Sequence, residues 1–328
     1  MNDTVHVPVM VDEVAAALEP RDGEVMVDGT FGGGGYTGAL LKAAGCIVYG
    51  IDRDPTAIAR GAEMAKRFNN RLTLVHGQFG SMQELLSARG VEAVDGIALD
   101  IGISSDQVDE AERGFSFQKD GPLDMRMGGT GISAAGVVNS HSEQALAGIL
   151  YVLGEEQRAH QIARAIIAAR AKAPITRTLE LANICTRAIG RAANGLHPAT
   201  RTFQALRIYV NDELGELARG LSAAEHLLKP GGRLAVVSFH SLEDRMVKRF
   251  LSERSGKVSR GSRHLPGANS APLASFELRS RRAITPSRLE ISHNMRARSA
   301  KLRSAIRTSA PVIPFDAIKA GVLPEIRA

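Results

Sequence analysis

A glycine-rich turn between a strand pattern and a helix pattern is the first feature of this sequence that could do chemistry. Residues 24–28 form a short apolar run, residues 28–35 read DGTFGGGG, and residues 36–44 have a helical pattern. Glycines in such a turn let the backbone approach a ligand and adopt positive φ angles without steric cost. This order of elements favours a site for a nucleoside-bearing cofactor over a tight turn that holds no ligand.

Three acidic residues, Asp28, Asp52 and Asp100, each end an apolar run with the length of a buried strand. Ligands of open α/β sheets bind at the carboxyl ends of the strands, where an acid can accept hydrogen bonds from ribose hydroxyls. Three carboxylates at that edge would repel a pyrophosphate and suit a sulfonium cation. The acids therefore favour S-adenosylmethionine over a dinucleotide.

The elements around these residues predict an α/β fold. Short apolar strands alternate with amphipathic helices in the first hundred residues, which is typical of a parallel sheet with helices on both faces. Residues 101–127 have no clean period, and a stretch of that length without regular structure is usually functional or mobile. The signals from about residue 142 to 193 are all helical.

The alternation of strands and helices returns near Phe203, and residues 283–292 have a pattern that could add a strand. One domain is therefore predicted to interrupt another. We expect a discontinuous sheet domain of residues 1–127 and 205–328, and an all-helical insertion of residues 128–204 that recognises the substrate.

The composition is that of a globular protein. The chain has 328 residues, of which 44% are hydrophobic, and its two cysteines, Cys46 and Cys185, are far apart and suggest a reducing compartment. The sequence has no signal-peptide pattern and no run of roughly 18 apolar residues that could cross a membrane. We expect a cytoplasmic protein without a membrane partner.

The net charge of +6 is concentrated in the last third of the chain. Between Asp244 and the final segment of residues 308–328, three glutamates stand against sixteen cationic residues: Arg245, Lys248, Arg249, Arg254, Lys257, Arg260, Arg263, Arg279, Arg281, Arg282, Arg288, Arg296, Arg298, Lys301, Arg303 and Arg307. A surface that contacts phosphates is the functional interpretation. The alternative is a solubilising face or a partly disordered tail.

Longer motifs are specific enough to indicate a family. They are HVPVM at 6–10, VDGTFGGGGYT at 27–37, IDRDP at 51–55, LDIGISS at 99–105, DEAERGFSFQKDGPLDMRM at 109–127, HPATRTFQAL at 197–206, SFHSLEDRMVKRF at 238–250 and NMRARSAKLR at 294–303. Along nearly its whole length the chain resembles the bacterial 16S ribosomal RNA cytosine-N4 methyltransferases. Met295 stands where that family usually has proline, which affects only a local turn.

The resemblance implies the Rossmann-like sheet of an S-adenosylmethionine-dependent methyltransferase with an all-helical insertion domain after the fourth strand. It implies methylation of the exocyclic N4 of a cytidine in the decoding region of 16S rRNA, with the small ribosomal subunit as partner. Carried over to this chain, the cofactor-binding positions are Gly34, Gly35, Tyr36, Asp52, Phe79, Asp100 and Gln107. A homodimer is compatible with the sequence, which does not determine the oligomeric state.

Several of these positions have a second interpretation. Phe79 could pack on an adenine ring or belong to the core. Gln107 could bond a polar edge of the cofactor or be an ordinary surface residue. Asp100 could cap a turn, but it could also accept a proton from the target amine, and we predict that it is the catalytic acceptor. Related amino-methyltransferases carry an Asp/Asn-Pro-Pro-aromatic motif after this strand, and here only the acid is shared.

RNA contacts are predicted near the site. Arg113, Arg126 and Arg201 could hold phosphates or pair within the protein, and Phe115 and Phe117 could stack on an unpaired base or anchor their loop. An unstacked base is required because N4 is inaccessible in folded RNA.

The sequence disfavours three other functions. An NAD-dependent oxidoreductase is disfavoured by the acids and by the absence of a clean G-x-G-x-x-G motif. A non-catalytic RNA-binding or assembly factor is disfavoured because the acids and glycines are intact. His240 and Ser241 could suggest a hydrolase, but no G-x-S-x-G motif is present. The histidines have no metal-ligand spacing, and we expect no metal.

Overall fold

A computed structural model describes residues 8–102, 110–190, 195–256 and 273–318. The described residues form two compact units, one of residues 8–102 and 215–318 and the other of residues 110–190 and 195–214. The second unit contains the described part of the predicted insertion, 128–204, together with residues on both sides of it. The role of the insertion in substrate recognition stays a prediction.

The first unit is built on a sheet that has seven strands among the described residues. They are β1 Val25–Asp28, β2 Ile47–Asp52, β3 Leu72–His76, β4 Val94–Asp100, β5 Leu228–Ser238, β6 Phe276–Leu278 and β7 Lys301–Arg307. The order across the sheet is β3-β2-β1-β4-β5-β7-β6. Strands β1 to β5 pair in parallel, and β7 is antiparallel to both β5 and β6. The strand order reverses at β1, so the carboxyl ends of β2, β1 and β4 meet at one edge.

The helices that the structure describes are α1 Val11–Leu18, α2 Gly35–Ala43, α3 Pro55–Arg67, α4 Met82–Ser87, α5 Ala134–Ser140, α6 Glu143–Gly154, α7 Ala159–Arg170, α8 Thr178–Ile189, α9 Thr200–Asn211, α10 Glu213–Leu227, α11 Ser241–Arg254 and α12 Arg288–His293. Helix α3 begins at Pro55, which occupies the first helical position, and the Asp54 carboxylate caps it by accepting the Thr56 N–H. In the second unit, Ser133 and Ser142 cap α5 and α6 in the same way.

The hydrophobic core of the first unit lies between the sheet and its helices. Val14 and Leu18 of α1, Leu40 of α2 and Met26 of β1 are buried there, and Leu302 of β7 belongs to the same cluster. In the part of the chain that the structure describes, no helix is both long enough and apolar enough to cross a membrane.

The C-terminal part of the sheet corrects one prediction. The strand predicted over 283–292 is wrong, because helix α12 occupies the second half of that range and Ser287 caps it by accepting the Glu290 N–H. The first half pairs with β7 only through an isolated bridge between Ile284 and Leu302. The strand that pairs antiparallel with β5 is β7, whose cationic residues conceal its apolar pattern. Asp244 forms ion pairs with two of them, Lys301 and Arg303, so the charges are neutralised beside the sheet.

Candidate functional site

The carboxyl ends of β1, β2 and β4 bring the three predicted acids to one edge of the sheet. Asp28 is in register with Gly50 of β2 and with Ala98 of β4, while Asp52 and Asp100 end those two strands. The strand-end acids therefore meet as the sequence predicts. Their hydrogen bonds, however, differ from one acid to the next.

The Asp28 carboxylate is buried and is hydrogen-bonded within the protein. One carboxylate oxygen accepts the Thr37 N–H at 3.1 Å and the Thr37 hydroxyl at 2.7 Å, and the other accepts the Thr30 N–H at 3.3 Å. The residue is 1% exposed, and burial raises the pKa of its carboxyl to about 6 despite these bonds. Asp28 thus fastens the start of α2 to the end of β1, and Thr37 is a residue that the sequence pattern did not single out.

The glycine turn is open only at its tip. Gly32 and Gly34 have φ angles of +51° and +76°, which side chains rarely adopt, and a Cβ atom on Gly33 would meet nothing within 4 Å. A Cβ on Gly34 would lie 2.8 Å from Cε of Met64, and one on Gly35 would lie 2.3 Å from Cγ of Pro8. Packing within the protein therefore explains glycine at 34 and 35, and the backbone next to open space is at Gly33.

Asp52 holds the turn and keeps capacity for a ligand. Its two oxygens accept the Gly32 N–H at 2.7 Å and the Asp54 N–H at 2.8 Å. Burial is the largest influence on this carboxyl and raises its pKa. A carboxylate offers about four acceptor positions, so two remain for hydroxyl groups beside the open Gly33.

Asp100 ends β4 with few partners. One carboxylate oxygen accepts the Gly102 N–H at 3.1 Å, and its own backbone N–H donates to the Thr30 hydroxyl at 2.7 Å. Burial raises the pKa of this carboxyl to about 7, and the charges of Asp28 and Glu243 contribute in the same direction. Near neutral pH, Asp100 therefore exists in both protonation states and can exchange a proton.

Tyr36 has a buried side chain that contacts other residues of the protein. Its hydroxyl donates to the Val9 carbonyl at 2.7 Å and interacts with Asp100, and burial raises the pKa of the phenol. The ring is 4% exposed. Because the side chain fastens the segment before α1, only the Tyr36 backbone could take part in binding a cofactor.

Phe79 lies in a slot walled by two glycines. A Cβ on Gly220 of α10 would lie 2.4 Å from Cδ2 of Phe79, and one on Gly29 would lie 3.2 Å from its Cβ. The next residue, Gly80, donates its N–H to the Glu216 carboxylate at 2.7 Å, and Glu216 is 2% exposed. The ring remains partly exposed. Gly220 and Glu216 were not recognised from the sequence, although glycine within a long helix costs about 1 kcal/mol relative to alanine and signals close packing.

His240 and Glu243 form the N-terminal cap of α11. The Glu243 carboxylate accepts the backbone N–H groups of Phe239 and His240, and the Glu243 N–H donates to Nδ1 of His240. The Nε2 atom of His240 lies 2.8 Å from the same carboxylate. The imidazole is thus used in capping, and Glu243 places a negative charge near Asp100.

The three arginines predicted to bind RNA all have partners within the second unit. Arg126 forms a two-point ion pair with Asp124, Arg113 donates to the Met127 carbonyl at 3.0 Å, and Arg201 donates to the Glu155 carbonyl at 2.8 Å. A role for these arginines in RNA binding stays a prediction. Gln107 lies outside the described residues.

Two phenylalanines of the same unit, Phe115 and Phe117, pack within it. Phe115 is buried, and the ring of Phe117 stacks on His197 at 4.8 Å with an edge contact to Phe203 at 5.6 Å. The observed packing fits the interpretation in which these rings anchor their loop.

The sheet order, the antiparallel β7 and the acids at the strand ends define the Rossmann-like fold of an S-adenosylmethionine-dependent methyltransferase. The family model for the MraW methylase family matches residues 3–308, and the chain belongs to this family.

Relatives with the name "Ribosomal RNA small subunit methyltransferase H" are similar over almost the whole chain. The relative from Parvibaculum lavamentivorans is 59% identical over 312 residues, which is 95% of this chain and 92% of the relative. The relative from Rhodospirillum centenum is 59% identical over 308 residues, 94% of each chain. The relative from Hyphomonas neptunium is 58% identical over 306 residues, 93% of this chain and 89% of the relative.

The residues at this edge fit S-adenosylmethionine. Gly33 leaves open space at the turn, Asp52 offers acceptors for ribose hydroxyls, and the partly exposed Phe79 offers an aromatic face. No cationic side chain is needed, because the cofactor carries no phosphate.

Proposed function

We propose that this chain methylates the exocyclic N4 of a cytidine in the decoding region of 16S rRNA within the small ribosomal subunit. The observation that carries the proposal is Asp100, a carboxyl with a pKa of about 7 at the end of β4 beside the glycine turn. A methyltransferase that acts on an amine needs an acceptor for the proton that the amine loses. The relatives named above as small-subunit rRNA methyltransferases support the choice of RNA.

Cofactor binding is assigned to the edge formed by β1, β2 and β4. Asp52 binds the ribose hydroxyls, Phe79 packs against the adenine, and the backbone of residues 32–36 lines the methionine end. This assignment includes Gly34, Gly35 and Tyr36 through their backbone atoms. When bound, S-adenosylmethionine supplies an electrophilic methyl group on a sulfonium.

The target amine is a weak nucleophile because its lone pair is delocalised into the cytosine ring. The Asp100 carboxylate accepts a hydrogen bond from the N4 amine, which helps to localise that lone pair on nitrogen. As N4 takes up the methyl group that the bound cofactor would supply, Asp100 would accept one N4 proton, which leaves the methylated amine neutral. Thr30 and Gly102 hold Asp100 in place for this transfer, and alignment supplies much of the rate enhancement.

The test is methyl transfer from labelled S-adenosylmethionine to 30S subunits that lack the modification, followed by nucleoside analysis. We expect label in N4-methylated cytidine, and we expect Asp100→Asn to bind cofactor but to lose most turnover. Label in another nucleoside would retain a methyltransferase and discard the proposed target. No transfer to 30S subunits or to free 16S rRNA, with cofactor binding intact, would favour a non-catalytic assembly factor.

A further inference from the structure

Two groups can be distinguished among the cationic residues that the structure describes in the C-terminal third. Arg254, Arg303 and Arg307 are engaged within the protein: Arg254 pairs with Glu225, Arg303 pairs with Asp244 at 2.7 Å, and Arg307 donates to several backbone carbonyls. Arg254 and Arg307 are also almost fully buried. A guanidinium held in this way cannot reach a phosphate, so these residues stabilise the fold.

The second group is exposed. Arg281, Arg282, Arg288 and Arg298 are solvent-exposed, and none of their side chains forms a hydrogen bond or ion pair with another residue that the structure describes. We call these four residues the arginine surface. The acid within this stretch, Glu290, is used by the backbone, since its carboxylate accepts the Met10 N–H at 2.6 Å. Glu290 forms no ion pair with any of the four arginines among the residues that the structure describes, so their guanidinium groups remain available to an anionic partner.

The segment that carries Arg288 and Arg298 is fixed close to Asp100. Ala297 is 0% exposed and belongs to the same core cluster as Val9, Met10 and Tyr36. The Tyr36 hydroxyl donates to the Val9 carbonyl and its side chain interacts with Asp100. Two separate contacts, the Glu290 hydrogen bond to Met10 and the packing of Ala297, thus attach the segment to the core cluster that contains Tyr36.

We propose that the arginine surface binds phosphates of the RNA strand next to the target nucleotide. The inference rests on the proposed function, because it takes RNA as the substrate, and it adds the location of the strand. Guanidinium groups bind phosphate oxygens through paired hydrogen bonds. Leu289 and Met295, 69% and 64% exposed, lie among these arginines and offer apolar contacts to ribose or an unstacked base.

An anionic membrane would also attract exposed arginines beside exposed apolar residues. The position of the segment favours RNA, because its Ala297 packs in the same core cluster as Tyr36, whose side chain interacts with the acid that is assigned to the methyl-transfer step. A membrane at that position would obstruct access of RNA to Asp100. The experiment distinguishes the two partners by measuring both.

The experiment replaces the four residues together, Arg281→Gln, Arg282→Gln, Arg288→Gln and Arg298→Gln. The matched control changes the net charge equally with Arg21→Gln, Lys42→Gln, Arg67→Gln and Arg89→Gln. These four residues are exposed, and each lies shortly before one of the strands β1 to β4. They are therefore near the amino ends of those strands, at the edge of the sheet opposite the strand-end acids. Binding to 30S subunits that lack the modification is measured from 50 to 200 mM KCl at fixed Mg²⁺, and calorimetry with S-adenosylmethionine checks the fold.

For the arginine-surface variant we expect binding about 100-fold weaker at physiological salt, with a salt slope smaller by about 3, because each phosphate contact contributes roughly 0.7 to the slope. The control should change the affinity by no more than a few-fold and should leave the salt slope unchanged. Equal losses in both variants, or an unchanged slope in the arginine-surface variant, would overturn the proposal. Unchanged RNA binding with lost binding to phosphatidylserine vesicles would overturn it in favour of a membrane.

If the fourfold variant loses cofactor binding, single variants test whether the arginines bind RNA phosphates. Arg288→Gln and Arg298→Gln should each lower the slope by about 0.7, and no change in either would overturn the proposal. Binding and product identity are separate measurements. Salt-dependent binding through these arginines without N4 methylation would defeat the proposed function and leave the arginine surface in place.

Discussion

The Phe79 ring occupies the position that a side chain on Gly220 would need, since a Cβ on Gly220 would lie 2.4 Å from Cδ2 of Phe79. Gly220 belongs to α10, where alanine would favour the helix by about 1 kcal/mol. We expect Gly220→Ala to displace the ring and to weaken S-adenosylmethionine binding by about tenfold, equivalent to about 1.4 kcal/mol, without lowering stability. Calorimetric titration and urea unfolding measure the two effects.

The control for that variant is Gly38→Ala in α2, where a new Cβ would make only an ordinary contact with Met64 at 3.9 Å. It should leave cofactor affinity within about twofold. Unchanged affinity in Gly220→Ala would show that Phe79 does not form a wall of the cofactor site.

The pKa of Asp100, raised to about 7 chiefly by burial, predicts a pH dependence of turnover. Only the ionised carboxylate can accept a proton, so kcat/KM for S-adenosylmethionine at saturating RNA should rise about tenfold per pH unit below 7 and level off above it. In kcat, which reports the complex, the midpoint should lie at lower pH because the sulfonium charge favours the carboxylate. Rates measured from pH 5.5 to 9 provide the test.

Asp100→Asn should remove most turnover and this ionisation from the profile, while cofactor affinity falls only by the lost attraction between the carboxylate and the sulfonium. A variant that keeps full turnover with the same pH profile would exclude Asp100 as the acceptor. Raised pKa values also affect stability. The pKa of Asp100 rises from 3.8 in the unfolded chain to about 7 in the folded protein. Its contribution to the free energy of unfolding is therefore fully present below pH 4 and is lost as the pH rises through 7.

The two carboxylate oxygens of Asp52 accept the N–H groups of Gly32 and Asp54 separately, and in asparagine an NH2 group, which cannot accept, replaces one of these oxygens. We expect Asp52→Asn to disturb the glycine turn, to lose a ribose acceptor and to weaken S-adenosylmethionine binding by roughly 10- to 100-fold. Asp22→Asn is the matched control, because Asp22 accepts the Gly45 N–H at 2.6 Å before β1, away from the strand-end acids. Equal affinities of the two variants for cofactor would argue against a ribose contact at Asp52.

The Arg254–Glu225 ion pair is almost fully buried, with side chains 1% and 0% exposed. Glu225 also accepts the Ser275 hydroxyl at 2.5 Å and the Ile313 N–H at 3.2 Å. Arg254→Met should lower the free energy of unfolding by about 3–5 kcal/mol, because it leaves a buried carboxylate without its charge partner. Urea unfolding tests this, and the double variant Arg254→Met/Glu225→Gln should recover part of the loss. A loss below about 1 kcal/mol in the single variant would contradict the prediction.

Local chemistry determined what could be predicted from the sequence alone. Apolar runs that end in Asp28, Asp52 and Asp100 predict parallel strands and their ligand-binding edge, because strand burial and sheet topology follow from short-range patterns. Strand β7 was missed, because its cationic residues conceal the apolar alternation until Asp244 and neighbouring carbonyls compensate them.

Only the tertiary structure decided how the individual residues are used. The sequence places Asp28 and Asp100 at equivalent strand ends, yet Thr30 and Thr37 satisfy Asp28, while Asp100 keeps a carboxyl with a pKa of about 7. The Gly220–Phe79 contact joins residues that are 141 positions apart in the sequence. Periodicity and spacing report which side chains are available along the chain, whereas hydrogen bonding, burial and close packing depend on which distant segments meet when it folds.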